Sequence, residues 1–246
     1  MGSQKGGRTL LDKYVGYTSA YFYHDKVLKT GGYTCSSLAA VLRVLNGGKS
    51  TTLTEGLDKL YGEVGMTRCL TRFIGTTDAL EAIRNDSWVG DWKDRRIRNL
   101  VKFQAWTMLI YHPMEHVGYL AYIVPKLVPL NGDWWFAKAC YWWVAYVVAD
   151  LYISLLKFKE LKRSDAAAAL QLEQAADDEA RAAAQAAVAA NQAKRRIVRL
   201  QVWRAIFYLP NAIHWSFVKP VLPKGAVAAL GLAEAIVGLK QTFPSQ

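Results

Sequence analysis

"ACYWWVAYVVADLYISLL", residues 139–156, decides the fold class of this chain. These eighteen residues carry one charge, Asp150. As a helix the stretch runs about 27 Å, near the thickness of a bilayer's hydrocarbon. Trp134, Trp135, Trp142 and Trp143 crowd one end, and Lys157, Lys159, Lys162 and Arg163 stand at the other. An aromatic belt with cationic anchors marks a membrane span. A buried core helix is the alternative reading, and the flanks favour the span.

The composition agrees. The chain has 246 residues, a net charge of +11, nine Trp and thirteen Tyr. Basic charge points to a polyanion, nucleic acid or an anionic lipid face. Trp and Tyr beside apolar runs favour the bilayer interface. The best nucleic-acid candidate is "DWKDRRIRNLVKF", with Lys93, Arg95, Arg96, Arg98 and Lys102. It leads straight into apolar sequence, which suits lipid headgroups, so no nucleic-acid partner is expected. Cys35, Cys69 and Cys140 are scattered without a CxxC pair, so neither a zinc site nor a disulfide framework is indicated. The N-terminal "MGSQKGGRTL" lacks the apolar core of a signal peptide, and Gly6 stands where a myristoylation site wants Ser or Thr. The ending "FPSQ" is no organelle address, so any targeting signal is expected to be internal.

Working outward, Thr9 and Asp12 predict a capped first helix over "TLLDKYVGYTSAYFYHDKVLK", broken at "KTGGYT". A short helix then stops at "NGGKSTT". The next segment carries two apolar stripes. Leu53, Leu57, Leu60, Tyr61 and Val64 share one side. Met66, Cys69, Leu70, Phe73 and Ile74 share roughly the opposite one, with Arg68 and Arg72 between them. The stripe therefore flips near Gly65: either the helix breaks there, or its halves are buried against different things. Further on, Pro113 is expected to interrupt an apolar helix, and Pro125 and Pro129 to end it. Residues 166–193 hold fifteen alanines in twenty-eight positions and read as one long exposed helix. Near the end, "AVAALGLAEAIVGL" is a second, weaker span. Its Gly231, Ala235 and Gly238 form a small-residue face for helix packing or oligomers, and Glu234 should face a partner or water. The expected organisation is 1–133 amphipathic and membrane-associated, 134–158 first span, 159–204 exposed helix, and 205–246 last span and tail.

Two motifs look chemical. "HPMEH", residues 112–116, has the spacing of an inverted zinc-protease pattern, but Pro113 sits inside it and no third ligand is evident. A pair of interfacial histidines is the simpler reading. "GGKS", residues 47–50, ends like a P-loop, but Arg43 occupies the first glycine position and no strand precedes it. No enzyme activity, metal or cofactor is expected.

The order of these features resembles the peroxin-11 family, membrane proteins that elongate and divide peroxisomes. "GRTLLDKYVGYTSAYF" is similar to that family's first helix. "YGEVGMTRCLTRFIGTTDALEAI" resembles its basic amphipathic helix, with arginines one turn apart and a Phe then Gly. "LPNAIHWS" and "ALGLAEAIVGL" resemble its ending. The alanine-rich insertion and "HPMEH" are closer to the glycosomal integral membrane proteins of kinetoplastids. The resemblance implies a peroxisomal or glycosomal multi-pass membrane protein with cytosolic termini, which self-associates and recruits division machinery. A metabolite pore has also been proposed for the family, and a structural adaptor is a third possibility.

The expected fold is all-α: amphipathic N-terminal helices and about two transmembrane or deeply inserted helices. The expected work is mechanical. Met66, Leu70, Phe73 and Ile74, with Cys69, would lie in the cytosolic leaflet of an anionic phospholipid membrane, with Arg68 and Arg72 at the phosphates.

Overall fold

Thr9 starts the first helix, α1 (Leu10–Thr18). Its hydroxyl accepts from the Asp12 backbone N–H at 3.1 Å, and the Asp12 carboxylate accepts from the Thr9 N–H at 2.8 Å. This reciprocal box satisfies two donors that a helix start leaves open. The coordinates are a computed structural model and describe residues 9–243; the terminal stretches read above, 1–8 and 244–246, lie outside them. All regular elements among the described residues are helical. They fall into two compact units, Met1–Arg68 with Lys224–Gln246, and Cys69–Pro223.

In the first unit the helix expected over 9–29 is two: α1 ends at Thr18, and its second half belongs to the next helix. α2 (Tyr21–Leu45) then runs unbroken through Gly31 and Gly32, where a break was expected. Gly32 is there for fit: a Cβ would stand 3.1 Å from Val64 Cγ1. The helix stops at the glycine turn foreseen, with Gly47 and Gly48 at φ 63° and 84°, values that only glycine adopts freely. Arg43 Nη2 then reaches across to the Asp58 carboxylate at 2.7 Å, tying α2 to α3 (Thr52–Thr71). The final helix, α8 (Lys224–Thr242), lies along α2. Tyr33 fills the space over Gly231, where a Cβ would fall 2.1 Å from the ring. Lys29 meets Glu234 in a buried ion pair, and Tyr17 Oη lies 2.6 Å from Thr242 Oγ1.

The second unit continues from α3 through a 3₁₀ turn (Arg72–Ile74) into α4 (Gly75–Asn85), α5 (Arg95–Ile123), α6 (Gly132–Glu173) and α7 (Asp178–Trp215). α5, α6 and α7 are antiparallel neighbours. Ile97 and Val101 near the start of α5 pack on Ile153 and Leu156 of α6. Gly118 near its end meets Gly132 and Phe136 near the start of α6. Ala139, Cys140, Trp143 and Val147 pack on Ala205 and Ala212 of α7.

Two expectations are corrected here. Pro113 sits inside α5 without ending it, as Pro210 does in α7; each removes one donor, and the flanking helices hold the rest in line. The alanine-rich tract is not one exposed helix. It folds back at residues 174–177, so α6 continues straight from the apolar stretch to Glu173 and α7 returns beside it. Ala168 and Ala184 are buried in this hairpin, and Asn191 donates to Ser164 and Asp165 at 3.0 Å each. Only one helix among the described residues, Gly132–Glu173, is long and apolar enough to cross a membrane alone.

Two outcomes follow from the local geometry. Gly231→Ala, which drives a methyl into the Tyr33 ring, lowers stability by about 1–3 kcal/mol. Gly16→Ala, inside α1 with open space around it, raises it by about 0.5–1 kcal/mol; thermal unfolding in detergent reads both. Asp94 caps α5, and hydrogen bonds from Arg96 hold its carboxyl down at about 2. Its contribution is complete above about pH 4 and is lost as pH falls through about 2; an NMR titration of the Asp94 carboxyl checks the midpoint.

Candidate membrane-contacting site

The apolar stripe that flips near Gly65 lies on a helix that does not break. α3 passes through Gly62 and Gly65 without interruption, and nothing lies within 4 Å of where their Cβ atoms would stand. The two stripes instead serve different units. Val64 packs against Gly32 in the first, and Cys69 is buried in the second.

The two arginines are held within the chain. In the first unit Arg68 makes a two-pronged pair with Asp25, Nε to Oδ1 at 2.8 Å and Nη2 to Oδ2 at 3.1 Å, both side chains largely buried. This fork-to-carboxylate geometry is the strong form of an ion pair. Met66 beside it is half-buried. In the second unit Arg72 donates to Glu115, which is only 3% exposed. Tyr111 Oη donates to the same Glu115 oxygen at 2.6 Å, and Cys69 Sγ lies 3.7 Å from it. A carboxylate buried in a largely apolar helix needs such donors, because leaving it uncompensated is costly.

This arrangement explains "HPMEH". Glu115 is the anchor for Arg72. The His116 ring meets Phe73 edge-on at 5.2 Å. The His112 ring lies so close to Gly75 that a Cβ there would fall 2.3 Å from Nε2. The motif is the seat of the 3₁₀ turn, and no three His, Cys, Asp or Glu side chains among the described residues form a metal site. Around this seat the remaining apolar side chains face outward: Leu70 is 55% exposed, Phe73 69% and Ile74 46%. The cations are turned in and the hydrophobes out.

The small-residue face of α8 is turned inward too. Gly231, Glu234, Ala235 and Gly238 are all buried in the first unit. Glu234 has the partner it was expected to need, Lys29, on a neighbouring helix of the same chain. Asp150, the lone charge of the apolar stretch, accepts from Gln104 at 3.2 Å and from Gln201 at 2.6 Å. Most of the candidate nucleic-acid cations also have partners nearby. Arg96 pairs with Asp94, and Lys102 with Asp86 at 3.0 Å. Lys157 and Lys194 both lie over the Trp92 ring.

Sequence reasoning did not find Asp25, Tyr111 or Gly75, and met Glu115 only within the protease-like spacing of "HPMEH". The one available signal was Tyr111 and Glu115 four apart on an apolar helix, where they share a face.

Comparison with known families bears on this geometry. The family model described as Peroxisomal biogenesis factor 11 (PEX11) matches residues 11–243. No curated protein and no solved structure matches the sequence.

The Glu115 seat has a direct readout. Glu115→Ala takes the acceptor from Arg72 and Tyr111 and uncovers Cys69. The expected outcome is faster alkylation of Cys69 by a small thiol reagent, read by peptide mass spectrometry, with Cys35 in the first unit unchanged.

Proposed function

The chain belongs to the peroxisomal biogenesis factor 11 family, which acts at the peroxisomal membrane in proliferation and division, and from that premise we propose that it shapes the membrane by apolar insertion. The observation that carries this reading is the outward set Leu70, Phe73 and Ile74, held on a short turn by the buried Arg72–Glu115 pair. A turn inserted among acyl chains widens one leaflet and favours curvature. Burying a large apolar side chain yields about 1.5–3 kcal/mol, so three hold the segment among acyl chains without help from charge. Arg68 and Arg72 orient the segment through Asp25 and Glu115 rather than lying on phosphates.

Self-association, recruitment of division machinery, a multi-pass topology and cytosolic termini belong to the same proposal and are supported by family membership. The small-residue face of α8 is occupied by α2, so a second copy would dock elsewhere. A glycosomal setting is the finer reading, supported by the alanine-rich hairpin and "HPMEH". The pore reading needs Asp150 and Glu234 on a wet path. Both carboxylates have partners in their own unit, and no observation favours it.

The test uses the full chain and anionic phospholipid vesicles. With the chain reconstituted in those vesicles, Leu70→Glu with Phe73→Glu should abolish the tubules that the parent forms, seen by electron microscopy. Raising salt from about 0.05 to 0.5 M should leave tubulation by the parent unchanged, since exposed charge is screened and apolar insertion is not. A double variant that tubulates like the parent overturns the reading.

A further inference from the structure

The bundle of α5, α6 and α7 buries polar groups within an apolar core and is apolar on its outside as well. Its polar side chains face the interior: on α5, Gln104 is 4% exposed and Glu115 3%; on α6, Asp150 is 8%; on α7, Asn211 is 1%. Its core also holds Ile97, Val147, Ile153 and Leu156, yet large apolar side chains cover its outside on all three helices: Trp106 and Leu120 on α5, Val148 and Leu155 on α6, Ile206 and Ile213 on α7, each between 41% and 57% exposed. A water-soluble bundle seldom exposes so much apolar surface while burying its carboxylates. Only α6 passes as a span on composition alone. α5 carries Gln104, His112, Glu115 and His116, which the fold buries; α7 carries buried Asn211 and His214 and, besides, Arg199 and Arg204.

The apolar belt has the height of a bilayer and two different rims. On α5 it runs from Lys102 to Ile123 and on α6 from Trp134 to Leu156, about 32–33 Å at 1.5 Å per residue. One rim is cationic. Lys102 on α5 and Lys157 on α6 come to it with Lys194 and Arg199 of α7, drawn level by the packing of Ile97 on Ile153 and Leu156 and by Lys157 donating to Gln201 at 3.3 Å. The polar end of α4 points there as well, since Asp86 closes on Lys102. The other rim is aromatic, with Lys138 lying over the Trp134 and Tyr141 rings. Arg204, inside the belt on α7, is half-buried. A cationic rim complements lipid phosphates, and an aromatic rim suits the headgroup boundary.

We propose that α5, α6 and α7 cross the phospholipid bilayer together, three times, with acyl chains covering the belt. This goes beyond a protein with spans only at α6 and α8. It rests on the membrane reading above, and because the 3₁₀ turn is seated on His112, Glu115 and His116, midway along the belt of α5, it places that turn within the bilayer. An odd number of crossings has a consequence for the connections. Asp91, before α5, and Gln185, near the start of α7, lie on one side of the membrane. Lys126, between α5 and α6, and Lys219, after α7, lie on the other.

Pairs of exposed cysteines test this in the full chain reconstituted in vesicles of anionic and neutral phospholipid. Cys35→Ser is the background, and the buried Cys69 and Cys140 stay in place, the parent serving as blank. A membrane-impermeant maleimide is added, and labels per molecule are read by intact mass, so mixed orientation does not matter. D91C with Q185C, and K126C with K219C, should each give molecules with two labels or none. D91C with K126C should give one label on every molecule. If D91C with K126C instead gives two or none, α5 does not cross and the proposal is overturned. Two labels on every molecule of every pair, with the protein still floating with vesicles, place the bundle on the surface: the three crossings fail while the membrane reading stands. Protein that stays in the aqueous phase as an oligomer means a second copy covers the belt, and overturns both.

Discussion

A carboxylate in the middle of the most apolar helix constrains everything around it. Asp150 lies inside "ACYWWVAYVVADLYISLL", where neither water nor lipid can solvate it cheaply. It accepts from Gln104 and Gln201, which stand on the helices before and after. Satisfying one acid therefore fixes which helices flank α6 and at what height. The same logic recurs twice. Glu115 in α5 collects Arg72 and Tyr111 and so seats the 3₁₀ turn. Glu234 in α8 collects Lys29 and so sets α8 against α2. Each acid is the lone one in the apolar stretch around it, and each draws its donors from another element or another turn. Such pairs add little net stability over a well-packed apolar contact, but breaking one is costly, which suits a device for fixing register.

Features that depend on neighbours in sequence were legible without coordinates. The Thr9–Asp12 box, the stop at Gly47 and Gly48, the end of α5 before Pro125 and the turn at "GGKS" each rest on a few adjacent residues. Features that depend on packing were not. Gly31 and Gly32 look like a break, yet Gly32 is a close approach to Val64 inside a continuous helix. Pro113 looks like a stop, yet tertiary packing carries α5 through it. The alanine tract has uniform helix propensity, and nothing local marks its fold at residues 174–177 except the Asp177 cap that starts α7.

The candidate site divides the same way. Helical periodicity identified Leu70, Phe73 and Ile74 as one stripe, and they are exposed. The same periodicity placed Arg68 and Arg72 beside that stripe but could not say what they bind. Their partners lie 43 residues away in sequence, one upstream and one downstream. Charge on an amphipathic helix reads as surface charge until a buried acid is found opposite it.

The long hairpin has a mechanical meaning of its own. α6 continues for seventeen residues past Leu156, from Lys157 to Glu173, about 25 Å of helix, and α7 returns alongside it. Asn191 bridging Ser164 and Asp165, and Arg195 paired with Asp165, brace the two strokes near their base. Small alanine side chains make the rod slender and leave little for other apolar surfaces to grip. Standing beyond the apolar belt, such a rod is a spacer. It sets a closest distance at which a second surface can approach, and it offers a partner a foothold clear of the lipid headgroups.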